Sequence, residues 1–189
     1  MNNRKIIKKF FPVSQYEKEE SFLNSMSNDG WKLISVNKGI LRAEYEFELC
    51  EDEGFIYNIE YIQDDAVCEY CEKMKILGWE EVGAIDGVYG KWHYFSINKE
   101  KKEQFVRSNE NKLESLNRII SSYNNFYGCM LTWQIIIIIS SINAIHLGSF
   151  QKYSSIGIII LCLITSSIII VEMGRLLKSR KNLNKEVVE

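Results

Sequence analysis

The sequence predicts an α+β protein: two βαββ repeats forming an antiparallel-rich sheet with two helices on one face, then a juxtamembrane helix and a two-helix transmembrane hairpin. Three observations predict it. A shift of 48 residues lays Phe22 on Tyr70, Leu23 on Cys71, Met26 on Met74, Gly30 on Gly78 and Trp31 on Trp79, the mark of an internal repeat. Each copy reads as an extended stretch, a helix of about fourteen residues, Gly-Trp, and two further strands. From Tyr127 to Val171 the one formally charged side chain is Lys152, in a chain with 23 Lys+Arg and 25 Asp+Glu.

In the first copy Lys5–Val13 is extended and Pro12, the one proline, ends it. Ser14-Gln-Tyr-Glu17 fits a capping box, in which the Ser14 hydroxyl and the Glu17 carboxylate each accept from the other's backbone N–H. Phe22, Leu23 and Met26 recur at helical spacing, and Gly30 supplies a left-handed C-terminal cap. Strands 31–36 and 41–49 follow. In the second of them Tyr45, Phe47 and Leu49 alternate with Glu44, Glu46 and Glu48, so one face is packed and the other wet.

The second copy starts with strand 54–62, and Asp64 or Asp65 caps its helix. Val67, Tyr70, Cys71, Met74 and Leu77 make the apolar stripe, Gly78 closes it, and strands 79–85 and 91–97 complete the unit. Both helices have one stripe to bury, which places them against the sheet.

These elements occupy residues 1–98. Residues 99–126 are a charged linker in which Phe105, Leu113, Leu116, Ile120, Tyr123 and Tyr127 fall near helical spacing, too irregularly for a coiled coil. Residues 127–174 hold two runs, 127–147 and 154–174, each long enough at about 1.5 Å per residue to cross a hydrocarbon core of about 30 Å. The turn between them contains His146 and Gly148. Residues 175–189 form a basic tail. Small residues Ser140, Ser141, Ala144 and Gly157 favour close packing of the two spans.

Arg107, Lys112 and Arg118 precede the first span, and Arg175, Lys178, Arg180, Lys181 and Lys185 follow the second. The positive-inside rule then puts both termini in the cytoplasm of a two-span cell-membrane protein, with the lipid bilayer as a partner. The first residues lack a signal peptide's apolar stretch, which agrees. Residues 1–118 have net charge −5, which argues against nucleic-acid binding. A cytoplasmic head keeps its thiols reduced.

Residues 10–33, Leu77-Gly-Trp-Glu80, Gly90-Lys-Trp-His-Tyr-Phe95 and Asn109-Glu-Asn-Lys-Leu-Glu114 together resemble the bacterial family called domain of unknown function 2812, over about residues 5–120. The resemblance implies membrane anchoring and a gene placed beside PadR-type transcriptional regulators, hence a sensory or regulatory role. It brings no catalytic residues.

The site candidates are aromatic. Trp31, Trp79, Trp92, His93 and Tyr94 either cover helix ends or wall a ligand pocket between the repeats. Cys68-Glu-Tyr-Cys71 has C-x-x-C spacing. Core packing is the favoured reading, with a redox pair or metal site as the alternative, because no other cysteine or histidine pair lies nearby in sequence. Glu44, Glu46, Glu48 and 51–53 read as a solvated face and turn. No Walker loop, dinucleotide fingerprint or metalloprotease motif occurs. The expectation is a non-enzymatic, cofactor-free, membrane-anchored cytoplasmic sensing or interaction module that takes a small molecule or partners a regulator. The alternatives are an accessory subunit of a larger membrane complex or transporter, and a thiol-dependent enzyme using Cys68 and Cys71.

Overall fold

The structure, a computed structural model, describes residues 4–39, 42–50, 54–100, 109–144 and 149–188. The first repeat contributes β1 (Arg4–Lys9), α1 (Tyr16–Asn28), β2 (Trp31–Lys38) and β3 (Ala43–Leu49), with one 3-10 turn at Val13–Gln15. The second contributes β4 (Phe55–Gln63), α2 (Val67–Ile76), β5 (Glu80–Asp86) and β6 (Gly90–Asn98). The α+β class and the β-α-β-β order are as expected. The strands, however, divide into two antiparallel three-stranded sheets, β1-β3-β2 and β4-β6-β5.

A local irregularity accompanies the division. β2 shifts register between Leu33 and Ser35, and β5 does so between Glu81 and Gly83. These bulges are 48 residues apart and lie in the two strands that lie side by side where the sheets meet. Each bulge lies in the ladder within its own sheet, β2 against β3 and β5 against β6. The strands still approach closely, since a Cβ on Gly83 would lie 3.2 Å from Val36 Cγ1 and 3.8 Å from the Val36 backbone N and O.

Gly30 and Gly78 take φ of +81° and +82°, the left-handed helix ends expected of both. The N-caps differ from expectation. Pro12 precedes the 3-10 turn and Ala66 precedes α2, neither with a side-chain cap. Ser14 instead donates to Glu172 Oε2 at 2.6 Å. The capping box is displaced because Glu172, distant in sequence, offers the hydroxyl a carboxylate.

The first core joins α1 to both repeats: Leu23 and Met26 pack with Leu33, Val36, Tyr45 and Phe47, and also with Tyr57, Ile59 and Tyr94. The second packs Met74 of α2 on Ile62, Trp79, Phe95 and Ile97. On the outer side of β3, Glu44 and Glu46 pair with Lys8 and Arg4 of β1 at 2.6 and 3.3 Å, while Leu49 breaks the alternation and is exposed.

α1 also guards an edge. The N–H groups of Phe55, Tyr57 and Ile59 on β4 donate to Ser27 Oγ, Asn24 Oδ1 and Glu20 Oε2 at 2.7, 2.9 and 3.2 Å. Asn24 Nδ2 and Ser27 Oγ donate back to the carbonyls of Tyr57 and Phe55. A strand edge that would otherwise template another chain is thus covered by one polar helix face.

The linker and the first apolar run form one helix, α3 (Asn109–Ala144), and the second apolar run continues into the basic tail as α4 (Ser149–Val188). Phe105 and the expected turn at His146 and Gly148 lie outside the described residues. Leu116, Ile119, Ile120 and Tyr123 of α3 bury against Tyr16, Tyr61 and Leu176, so the linker stripe packs on the head. In the hairpin, Gln134 Nε2 donates to Thr165 Oγ1 at 2.9 Å and Ser166 donates to Gln134 Oε1. Ser141 is buried, but Ser140 is exposed and a Cβ on Gly157 would meet nothing within 4 Å. The side chain of Ala144 is not among those described.

Candidate functional site

A cleft of about 290 Å³ opens between the repeats. Phe10, Phe11 and Tyr16 come from the first repeat and Ile85, Trp92 and Tyr94 from the second. Its floor is Glu19, which is 9% exposed and sits on the inward side of α1. Tyr45 and Tyr94, one from each repeat, donate to Glu19 Oε1 at 2.6 and 2.5 Å. Burial holds the Glu19 carboxyl above the usual carboxylate range, and the two tyrosine hydrogen bonds only partly offset it. Burial and the carboxylate push both phenols well above their ordinary value. The floor therefore presents oxygen groups that exchange hydrogen bonds without readily gaining negative charge. Lys38 and Arg42 also line the cleft.

Trp92 connects this cleft to the long helices. Its ring lies 5.8 Å from Tyr16 and 5.2 Å from Tyr61, and its Nε1 donates to Tyr123 of α3 at 3.4 Å. Tyr61 in turn donates to the Val88 carbonyl. Below it a polar joint repeats the connection: Glu60, 2% exposed, accepts from Ser115 at 2.5 Å and from Arg118 at 3.5 Å.

Of the five aromatic candidates, the cleft brings together Trp92 and Tyr94. Trp31 packs at the edge of the first core with Lys5 Nζ 5.3 Å from its ring centre. Trp79 is buried beneath α2. His93 faces away from the cleft, with Nδ1 2.7 Å from Glu81 Oε1 and its ring stacked on Phe95 at 6.1 Å. Cys71 lies beside the same carboxylate, Sγ 3.9 Å from Glu81 Oε2, while Cys68 is exposed one turn earlier. Burial, then the neighbouring Glu81 charge, pushes the Cys71 thiol up.

A family model described as "Protein of unknown function (DUF2812)" matches residues 15–131. The chain belongs to the DUF2812 family. The match takes in most of the first repeat, all of the second, and the part of α3 that bears Ser115, Arg118 and Tyr123, so the joint and most of the cleft fall within the DUF2812 unit, while Phe10 and Phe11 precede it. No curated protein and no solved structure matches the chain.

Sequence reasoning missed Glu19, Tyr45 and Glu81. Glu19 stands in the run Glu17-Lys-Glu-Glu20, where nothing local separates a floor carboxylate from solvated neighbours. Glu81 does leave a signal, because the repeat shift lays it on the apolar Leu33.

Proposed function

We propose that this DUF2812 protein is a membrane-anchored sensing module without catalytic activity, whose head reads a small molecule in the inter-repeat cleft and passes occupancy to its transmembrane hairpin. The observation that carries this reading is the position of Trp92, at once a cleft wall and a hydrogen-bond partner of Tyr123 on α3. A ligand that moves this indole must also disturb the seat of the head on the helices. The floor chemistry favours a planar aromatic molecule bearing a hydrogen-bond donor, with its ring among Phe11, Tyr16 and Trp92 and its donor on Glu19.

Membrane anchoring is supported by two helices long and apolar enough to cross a bilayer, of whose most apolar windows 6% and 11% is buried in the fold. Ile135, Ile136, Ile139, Leu161, Leu163 and Ile168 are all exposed, a surface too apolar for water. The basic residues flanking the hairpin favour a cytoplasmic head, where a transcriptional regulator is a suitable recipient of the signal.

The test is thermal unfolding of the full chain in detergent with a panel of aromatic amines and matched aromatic acids. Stabilisation by amines, lost in Glu19→Ala, supports the reading. A panel with no effect on the wild type, or equal effects on the variant, overturns it.

A further inference from the structure

The 48-residue repeat shift carries Leu23, Leu33 and Tyr45 onto Cys71, Glu81 and His93. The correspondence holds in three dimensions. Leu33 pairs with Phe47 across its ladder as Glu81 pairs with Phe95, and Val36 faces Tyr45 as Ala84 faces His93. In the first repeat these positions form an apolar core, with all three side chains no more than 1% exposed. In the second they hold a thiol, a carboxylate and an imidazole whose ligand atoms all lie within 4.8 Å of one another. Polar groups at a core position weaken the fold unless something satisfies them. His93 is 3% exposed, and its Nε2 has no hydrogen-bond partner among the described residues.

We propose that Cys71, Glu81 and His93 form a binding site for a zinc-class divalent cation in the second repeat. Thiolate, imidazole and carboxylate are the donor types zinc takes, with bonds of about 2.0–2.3 Å that place tetrahedral ligand atoms roughly 3.3–3.8 Å apart. The cluster is within a side-chain rotation of that spacing. Glu81, with 38% of its side chain exposed, is the member free to adjust. Binding releases the Cys71 proton to solvent, and the thiolate and carboxylate then balance the dication beside a neutral ring. The outer side of the cluster is open at Glu81, so a fourth ligand comes from water or from Cys68, one helical turn before Cys71 on α2. This site is separate from the cleft at Glu19 and does not depend on the cleft's occupant.

The experiment is titration of the reduced, metal-stripped full chain in detergent with cobalt(II), followed by displacement with zinc. The expected result is one equivalent of cobalt with thiolate charge-transfer and tetrahedral visible bands, bleached by zinc, and a zinc-dependent rise in Tm. Cys71→Ser, a near-isosteric change at a partly exposed position, loses the bands. The triple change Cys71→Leu, Glu81→Leu, His93→Tyr restores the first repeat's residues and is expected to fold with a Tm indifferent to zinc. Absence of the bands from the wild type at one equivalent, or their survival in Cys71→Ser, overturns the proposal.

Discussion

Ser14 donates a hydrogen bond to Glu172 across 158 residues of sequence, at 2.6 Å, joining the entry to α1 with the long apolar helix α4. Glu172 also accepts from Arg175 at 2.8 Å on its own helix. Ser14→Ala therefore removes the inter-element bond but leaves the carboxylate a partner. The expected loss is about 1 kcal/mol, with faster amide exchange at residues 13–16 in the full chain. Exchange that is unchanged there would show that the bond does not hold the joint.

Glu19 links stability to pH. Its folded pKa is raised by burial, so the folded state retains a proton that the unfolded chain gives up. The stabilising contribution is full below the unfolded carboxyl value and declines as pH rises through the folded one. Glu19→Gln removes that dependence while keeping an oxygen for Tyr45 and Tyr94. Chemical denaturation across pH 4–8 is expected to give a flatter profile for the variant on the alkaline side. Glu19→Ala removes the acceptor that Tyr45 and Tyr94 share and is expected to lose about 1–3 kcal/mol at any pH in that range.

Asn24 satisfies both the N–H and the carbonyl of Tyr57. Asn24→Ala is expected to lower stability by about 1–3 kcal/mol and to promote association through the uncovered β4 edge. Ser21→Ala, which breaks only a bond to the carbonyl one turn back in its own helix, is expected to stay within about 0.5 kcal/mol of the wild type. Denaturation midpoints and light scattering distinguish the two.

Gly90 opens β6 where a Cβ would lie 2.4 Å from the Ile62 carbonyl oxygen and 3.0 Å from Gln63 Cα. The obstacle is backbone, which no rotamer change relieves. Gly90→Ala is expected to destabilise by about 1–3 kcal/mol or more. A variant with wild-type Tm would mean that the β4–β6 ladder is looser than its register implies.

The repeat, the order of its elements, the two glycine helix ends and the two long apolar helices were legible because each is a local or periodic signal. Alternation in 43–49 and helical spacing in 67–77 report which side of an element is apolar. The capping roles expected of Ser14, Asp64 and Asp65 are not taken up, since a polar side chain near a helix start is not bound to the helix end: Ser14 donates to Glu172 instead. The aromatic site was half legible. Trp92 and Tyr94 line the cleft, whereas Trp31, Trp79 and His93 belong to the cores or their edges, and nothing along the chain tells a wall from a core.

By itself the sequence determined the duplicated α+β head, the apolar hairpin and their order, because periodicity and charge are written residue by residue. The tertiary structure alone decided that the strands split into two sheets, that Glu19 is a cleft floor, and that Cys71, Glu81 and His93 meet. Those outcomes depend on which elements come together, and contact between elements distant in sequence has no period for a linear reading to detect.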